Sequence, residues 1–252
     1  MAQVEAIDNE AFLKKRFPDE CLPEPLQTTF EALSTGDTPI LKLDGQPDHT
    51  WLFVHHGITT YDNPKTNEEQ IATFLSHIAK AAYDTYKVKP KIYREWSGQF
   101  STVPLSTDVM DIDRKPDVIG ITDTEALKQA LLSDPPHLSW KFVDFVLEYK
   151  SKYQTPANFL DSVLVDLLNK GFCVLHSQDD RRFVIVLTLC STSMRFTICD
   201  RGGVIHSLEF DIHKEPKLLL RLVLGLTFAD GVFIGRDPTV RLARNEIGRA
   251  HV

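Results

Sequence analysis

Three side chains in the middle of the sequence are of types that could carry out metal-assisted chemistry on a phosphate. Asp117 follows a proline, and Glu148 and Lys150 lie two residues apart in a later apolar segment. Because alternate residues of a strand face the same side, Glu148 and Lys150 are expected on one face. Two carboxylates supply the oxygen ligands that Mg²⁺ prefers, and a lysine can orient water or stabilise charge developing on a phosphate. We therefore predict a Mg²⁺ site at Asp117 and Glu148, with Lys150 as its catalytic cation.

The segments around these residues predict the elements that would position them. They are, in order, a helix over 66–86, strands over 91–96, 116–121 and 140–149, and an apolar helix over 156–168. A further helix over 124–132 would be an insertion between the second and third strands. This order, with proline-aspartate on the middle strand and acid-x-lysine on the last, resembles the core of the PD-(D/E)XK nuclease superfamily. The resemblance implies Mg²⁺-dependent phosphodiester hydrolysis.

The same resemblance implies two auxiliary residues. That superfamily often adds a glutamate on the first helix, and Glu68 has this place, three residues before Ile71 on the inward side of the helix. Gln154, just after the third strand, would be an auxiliary polar group.

Two alternatives to catalysis stay open for this cluster. In one, Lys150 is solvated at a strand end and Glu148 pairs with Arg114 or Lys115. In the other, a nuclease-like fold is kept for binding or scaffolding alone. The adjacent His55 and His56 are a poorer metal site, because neighbouring residues of a strand face opposite sides.

The last third of the sequence predicts an antiparallel meander and a closing helix. β-Branched and aromatic runs predict strands over 182–189, 194–199 and 204–210, and the glycines of Asp200-Arg201-Gly202-Gly203 predict a tight turn. Leucines on one side predict a helix over 215–229, which packs in the core or docks a partner. The predicted fold class is α+β (mixed α/β): a central sheet flanked by helices, followed by an antiparallel meander and a closing helix.

Composition limits the classes of function. The chain has 252 residues, 42% of them hydrophobic, with a net charge of −7, so a core is expected and nucleic-acid binding is not supported by net charge. Four cysteines without a C-x-x-C pair predict reduced thiols in an intracellular protein, in the cytoplasm or the nucleus. The first residues lack the apolar region of a secretory signal, and no apolar stretch reaches the ~20 residues that cross a membrane.

A second resemblance covers roughly residues 110–240. The segments 181–184, 200–207, 210–213, 222–230 and 235–239 resemble the fungal-type protein kinase family in order and spacing. Arg114-Lys115-Pro116-Asp117 and the Glu148-x-Lys150 segment also resemble that family's N-terminal region. In the family the kinase fold starts after the Asp-Pro-Thr element, which here is Asp237-Pro238-Thr239.

The kinase resemblance implies ATP binding and protein phosphorylation only for a longer parent protein. The sequence contains no glycine-rich phosphate loop, strand lysine, H-R-D loop or D-F-G segment. We expect a regulatory or recognition portion whose partners are the following kinase lobe and other proteins.

The domain boundaries follow from these segments. We predict an extension over 1–60 and an α+β domain over 61–245, with the nuclease-like core over 66–170 and the meander plus helix over 181–229. Residues 246–252 can be encoded as GAG-ATC-GGA-AGA-GCA-CAC-GTC, which matches the start of a short-read sequencing adapter. We expect these residues to be translated adapter and the natural protein to continue past about Asn245.

Overall fold

A computed structural model describes residues 8–35, 39–43, 49–51, 67–106, 114–152 and 163–240. The helices in these ranges are α1 (Asn9–Arg16), α2 (Leu26–Thr35), α3 (Asn67–Thr85), α4 (Thr124–Leu132), α5 (Leu164–Ser177) and α6 (Pro216–Phe228). The strands are β1 (Leu41–Leu43), β2 (His49–Trp51), β3 (Glu95–Ser97), β4 (Val118–Ile121), β5 (Val143–Lys150), β6 (Phe183–Cys190), β7 (Ser193–Asp200), β8 (Val204–His206) and β9 (Phe210–Asp211). His55, His56, Gln154 and residues 246–252 lie outside the described ranges.

The predicted α+β fold class is confirmed. Seven strands form one sheet in the order β3-β4-β5-β6-β7-β8, with β9 also pairing with β7, while β1 and β2 form a separate hairpin. Every pairing in the large sheet is antiparallel except that of β5 with β6, which is parallel. The predicted meander is therefore not a second sheet. It extends the central one, because β6 lies beside β5.

The parallel step between β5 and β6 depends on α5, since parallel neighbours need a long crossover connection. We predicted a helix over 156–168, but α5 runs from Leu164 to Ser177. Its inward side continues past Leu168 through Gly171 and Val174. A Cβ at Gly171 would lie 3.4 Å from both Cys199 Sγ and Val184 Cγ1, so this helix lies close against the sheet.

The two faces of the sheet are covered by different helices. On one face α6 contacts α1, α2 and α3, and one apolar cluster joins these helices to the sheet. On the other face α4 and α5 cover a second cluster around Val146 and Val186. Leu219 and Leu222 of α6 are buried, so the interpretation of this helix as a docking surface is wrong for its leucine face.

Three local predictions differ from the structure. The strand predicted over 204–210 is two short strands, β8 and β9. The strand predicted over 91–96 is confined to β3, because the N–H of Arg94 donates to the carbonyl of Thr227 instead of joining the sheet. The turn after β7 is held by Asp200, whose Oδ1 accepts the N–H groups of Gly202 and Gly203, each at 2.7 Å. Neither glycine has a positive φ, so the turn does not use the conformational freedom of glycine for which these residues were predicted.

Among the described residues, no helix combines the length and apolar character that a membrane crossing requires.

Replacement of Gly120 by alanine tests how β4 fits against β5. A Cβ at this position would lie 1.9 Å from Cζ of Phe145, whose ring is wholly buried and packs 4.5 Å from the ring of Trp96. We expect Gly120→Ala to lower the free energy of unfolding by about 1–3 kcal/mol, as overpacking does. Urea denaturation measures the change.

Gly203→Ala is the matched control for this variant. A Cβ there would meet nothing within 4 Å, so the unfolding free energy should stay within about 0.5 kcal/mol of wild type. Equal denaturation midpoints for the two variants would contradict the close packing of β4 on Phe145.

Candidate functional site

The sheet brings together the three residues predicted for catalysis. β4 runs antiparallel to β5 with Val118 opposite Leu147, so Asp117, just before β4, reaches the end of β5. Its Oδ2 accepts the N–H of Tyr149 at 2.7 Å. Lys150 Nζ lies 2.6 Å from Glu148 Oε1, which is expected for residues on one face of a strand.

Glu68, the predicted auxiliary residue, is in the first turn of α3. This turn lies directly against the chain after β3, where a Cβ at Gly98 would be 2.5 Å from the carbonyl carbon of Glu68. The negative charge of Glu68 is close enough to raise the pKa of Asp117. The structure therefore places Glu68 near the cluster.

Lys170 of α5 is a member of the cluster that the sequence analysis missed. It is 3% exposed, and its ammonium donates to Oε2 of Glu148. It also lies 3.3 Å from Oδ2 of Asp166, one turn earlier on the same helix. Both carboxylate oxygens of Glu148 are thus ion-paired with lysines, rather than with Arg114 or Lys115. If the apolar periodicity of the helix is continued beyond Leu168, it predicts Lys170 on the inward side.

Burial dominates the electrostatics of the cluster. Burial raises the pKa of Asp117, and Lys170 and the N–H of Tyr149 only partly oppose it. Burial likewise raises the pKa of Glu148, against the opposing charge of Lys170 and with a further rise from Asp117. The pKa of Lys150 is raised because the bond and charge of Glu148 outweigh its desolvation. Lys150 is therefore a cation at neutral pH and not a proton acceptor.

The donor set in the described part of the chain does not fit a resident Mg²⁺. No group of three or more His, Cys, Asp or Glu side chains converges there in a way that could hold a metal ion. Asp117 and Glu148 are two carboxylates, and the oxygens of Glu148 already have lysine partners. Mg²⁺ demands near-ideal octahedral oxygen coordination.

A second buried ionic cluster surrounds Asp144, which lies four residues before Glu148 on β5, at the register shift between Val143 and Phe145. Thr122 donates to Asp144 Oδ2 from its N–H at 2.9 Å and from its hydroxyl at 2.6 Å. Arg94 Nε lies 3.5 Å from the same oxygen, and Arg181 and Arg236 lie 3.3 and 3.2 Å from Oδ1. Burial raises the pKa of Asp144, but these arginines and Thr122 outweigh it, so the pKa is lowered.

The arginines of this cluster connect distant parts of the chain. Arg94 donates to the carbonyls of Leu226 and Ala229 at the end of α6. Arg181, which is wholly buried, donates to the carbonyl of Ile234 at 2.7 Å, and burial together with Arg236 lowers its pKa to about 10.

Arg236 joins the same cluster to the last described segment. Its Nη1 lies 2.8 Å from Asp180 Oδ1, and the N–H of Asp237 donates to the carbonyl of Asp180 at 2.7 Å. Gly235 has a φ of 106°, and a Cβ there would lie 1.9 Å from the carbonyl oxygen of Phe183. Gly235 is therefore required where this segment crosses the start of β6.

Comparison with known proteins identifies one matching family model. A family model described as fungal protein kinase matches residues 117–252, just over half of the chain. No curated protein and no solved structure matches the chain. The matched region begins at Asp117 and includes β4 to β9, α5 and α6. It therefore contains Glu148, Lys150 and Lys170, and all of the Asp144 cluster except Arg94.

Asp144→Asn tests the buried cluster. The variant leaves Arg94 and Arg181 buried without their counter-charge, and we expect it to lower the free energy of unfolding at neutral pH by about 3–5 kcal/mol. Because the native pKa of Asp144 is lowered, its stabilisation is present above the ordinary value of 3.8 and is lost as pH falls through the native pKa. Urea titrations at several pH values should therefore show the difference between wild type and variant shrinking in acid.

Asp84→Asn is the control for the loss of stability expected of Asp144→Asn. Asp84 pairs with Lys80 on the surface of α3, so its loss should cost less than about 1 kcal/mol. A neutral-pH stability of Asp144→Asn equal to that of Asp84→Asn would contradict the role given to the buried cluster.

Proposed function

Because the chain belongs to the fungal protein kinase family, we propose that it is the N-terminal regulatory or recognition portion of such a kinase. The catalytic lobe, which would transfer phosphate from ATP to protein, would follow the described residues. The sequence supports this division, since it contains no glycine-rich phosphate loop, strand lysine, H-R-D loop or D-F-G segment. ATP would bind to that lobe and not to the elements described above.

The observation that carries the proposal is the attachment of the segment 235–240 to the sheet. Arg236 binds Asp180 and Asp144, Arg182 donates its N–H to the carbonyl of Gly235 at 2.8 Å, and Asp237 donates to Asp180. A chain that continues from here leaves the domain in a fixed direction. A fixed attachment lets the domain orient a following lobe, and kinase activity depends on such positioning.

The first experiment extends the transcript beyond the codon for Asn245, using RNA of the source organism. We expect it to encode a glycine-rich loop, a strand lysine and an H-R-D segment. In the full-length protein, Arg236→Ala should then change the rate of protein phosphorylation by about fivefold or more, the range of an ordinary coupling between sites. Arg182→Ala is the matched control, since the side chain of Arg182 is exposed and its bond to Gly235 is made by the backbone N–H, which alanine keeps.

Two results would overturn the proposal. A genuine stop codon directly after Asn245 would leave a stand-alone domain without a kinase lobe. Equal phosphorylation rates for Arg236→Ala and Arg182→Ala would show that the attachment does not govern the lobe.

A second candidate function is phosphodiester hydrolysis, and the topology is the observation that favours it. α3, the antiparallel strands β3, β4 and β5, and then α5 and the parallel strand β6 follow in the order of a PD-(D/E)XK core. This order places Asp117, Glu148 and Lys150 in one cluster. The ion pair of Lys170 with Glu148 opposes a resident metal, and the net charge of −7 does not favour DNA. A nuclease-like fold kept for binding agrees better with these contacts.

A cleavage assay separates the two candidates. Purified protein is incubated with plasmid DNA and Mg²⁺ or Mn²⁺, beside Asp117→Ala and Lys150→Ala. For a recognition module we expect no cleavage, or the same trace cleavage in all three proteins, which would come from a contaminant. Cleavage by wild type that both substitutions abolish would instead establish the nuclease.

A further inference from the structure

We infer that Lys170 is a built-in cation that takes the place of a divalent metal at Glu148, in the cluster that also contains Asp117, so that this nuclease-like site is metal-independent. The inference stands on the geometry of the cluster and does not require that a kinase lobe follow. It goes beyond the recognition role by stating what occupies the centre of the site.

The position of Lys170 is fixed by the packing of its helix. α5 lies against β5, β6 and β7. On this helix Leu167, Cys173 and Val174, which flank Lys170, are buried. At Gly171 the helix faces the side chains of Cys199 and Val184 on the sheet. The Lys170 side chain is 4% exposed, and its ammonium lies against Glu148 and Asp166. A cation held in this way does not leave easily for solvent.

Charge balance at the centre of the cluster gives the second argument. Asp117 and Glu148 carry two negative charges, and Lys150 and Lys170 carry two positive charges. Asp166 and Glu68 stand at the edge, where solvent reaches them. A divalent cation added beside the buried ammonium of Lys170 would bring like charges together in a buried place, which is costly. Without Lys170, only Lys150, on the solvent side, would be paired with Glu148.

The pKa directions agree with this arrangement. Lys170 is the largest influence that lowers the pKa of Asp117 and of Glu148, against the burial that raises both. Its direct partners are Glu148 and Asp166. Lys150, with a side chain 36% exposed, pairs with Glu148 from the solvent side.

Mn²⁺ binding to the whole chain tests the inference, with the electron paramagnetic resonance signal of free Mn²⁺ as the readout. Wild type should show no Mn²⁺ binding that depends on Asp117, and its thermal midpoint should be the same in chelator and in millimolar Mn²⁺. Lys170→Met keeps the length of the stem and removes the charge. We expect a lower midpoint in chelator, recovery in Mn²⁺, and Mn²⁺ affinity raised by about tenfold or more.

Three further variants make the test specific. Asp117→Asn combined with Lys170→Met should lose the gained Mn²⁺ affinity, and Lys170→Arg should not gain it, because arginine keeps the cation. Lys128→Met removes an exposed lysine on α4 that pairs with Glu125, and it should behave as wild type. Lys170→Gln replaces the methionine variant if that protein does not fold.

The results that overturn the inference are distinct from those that concern the kinase. Wild-type Mn²⁺ binding that Asp117→Asn abolishes would show that a metal binds with Lys170 in place. A folded Lys170→Met or Lys170→Gln protein without any gain in Mn²⁺ affinity would show that the carboxylates do not form a cation site. Neither outcome bears on whether a kinase lobe follows residue 240.

Discussion

The structure depends on one constraint, the burial of two carboxylates of the central strand β5. Asp144 and Glu148 are 4% and 2% exposed, and a buried charge without a partner costs several kcal/mol. Each carboxylate therefore draws cations from elements that are far apart in sequence. Arg94, just before β3, and Arg236, in the last described segment, pair with Asp144, and Lys170 reaches Glu148 from α5. These pairings join α5 and the last described segment to β5.

The two carboxylates have different charged partners, and their pKa values are shifted in opposite directions. Asp144 faces arginines and also accepts two hydrogen bonds from Thr122, and its pKa is lowered in spite of burial. Glu148 has two lysine partners but also a second carboxylate, Asp117, beside it, and its pKa is raised. Arginine keeps its charge under almost all conditions and binds through a planar fork, which suits a permanent structural junction. The lysine cluster has the mixture of charges that is usual in functional sites.

The sequence allowed α3 and α4 to be predicted within a residue or two, because their apolar periods and polar starts are clear. It also placed Asp117, Glu148 and Lys150 together, since the order of the strands fixes that geometry. Lys170 was missed because the predicted helix ended at Leu168. A lysine in an apolar helix cannot be assigned to a site until it is known which face of the helix is buried. Asp144 and its arginines were missed for another reason. Asp144 pairs with Arg94 and Arg236, which are 50 and 92 residues away along the chain, and local patterns do not contain such contacts.

The segments that carry the family resemblance serve the fold and not phosphoryl transfer. Arg181 and Arg236 bind Asp144, and Arg201 donates to the carbonyls of Arg181 and Leu175, which ties the turn after β7 to the end of α5. The leucine-rich segment is the buried helix α6. A family signature built from such residues identifies a scaffold. The ion pairs of Glu148 with Lys150 and Lys170 at the end of β5 rest on other residues, so membership in the family does not decide what that cluster does.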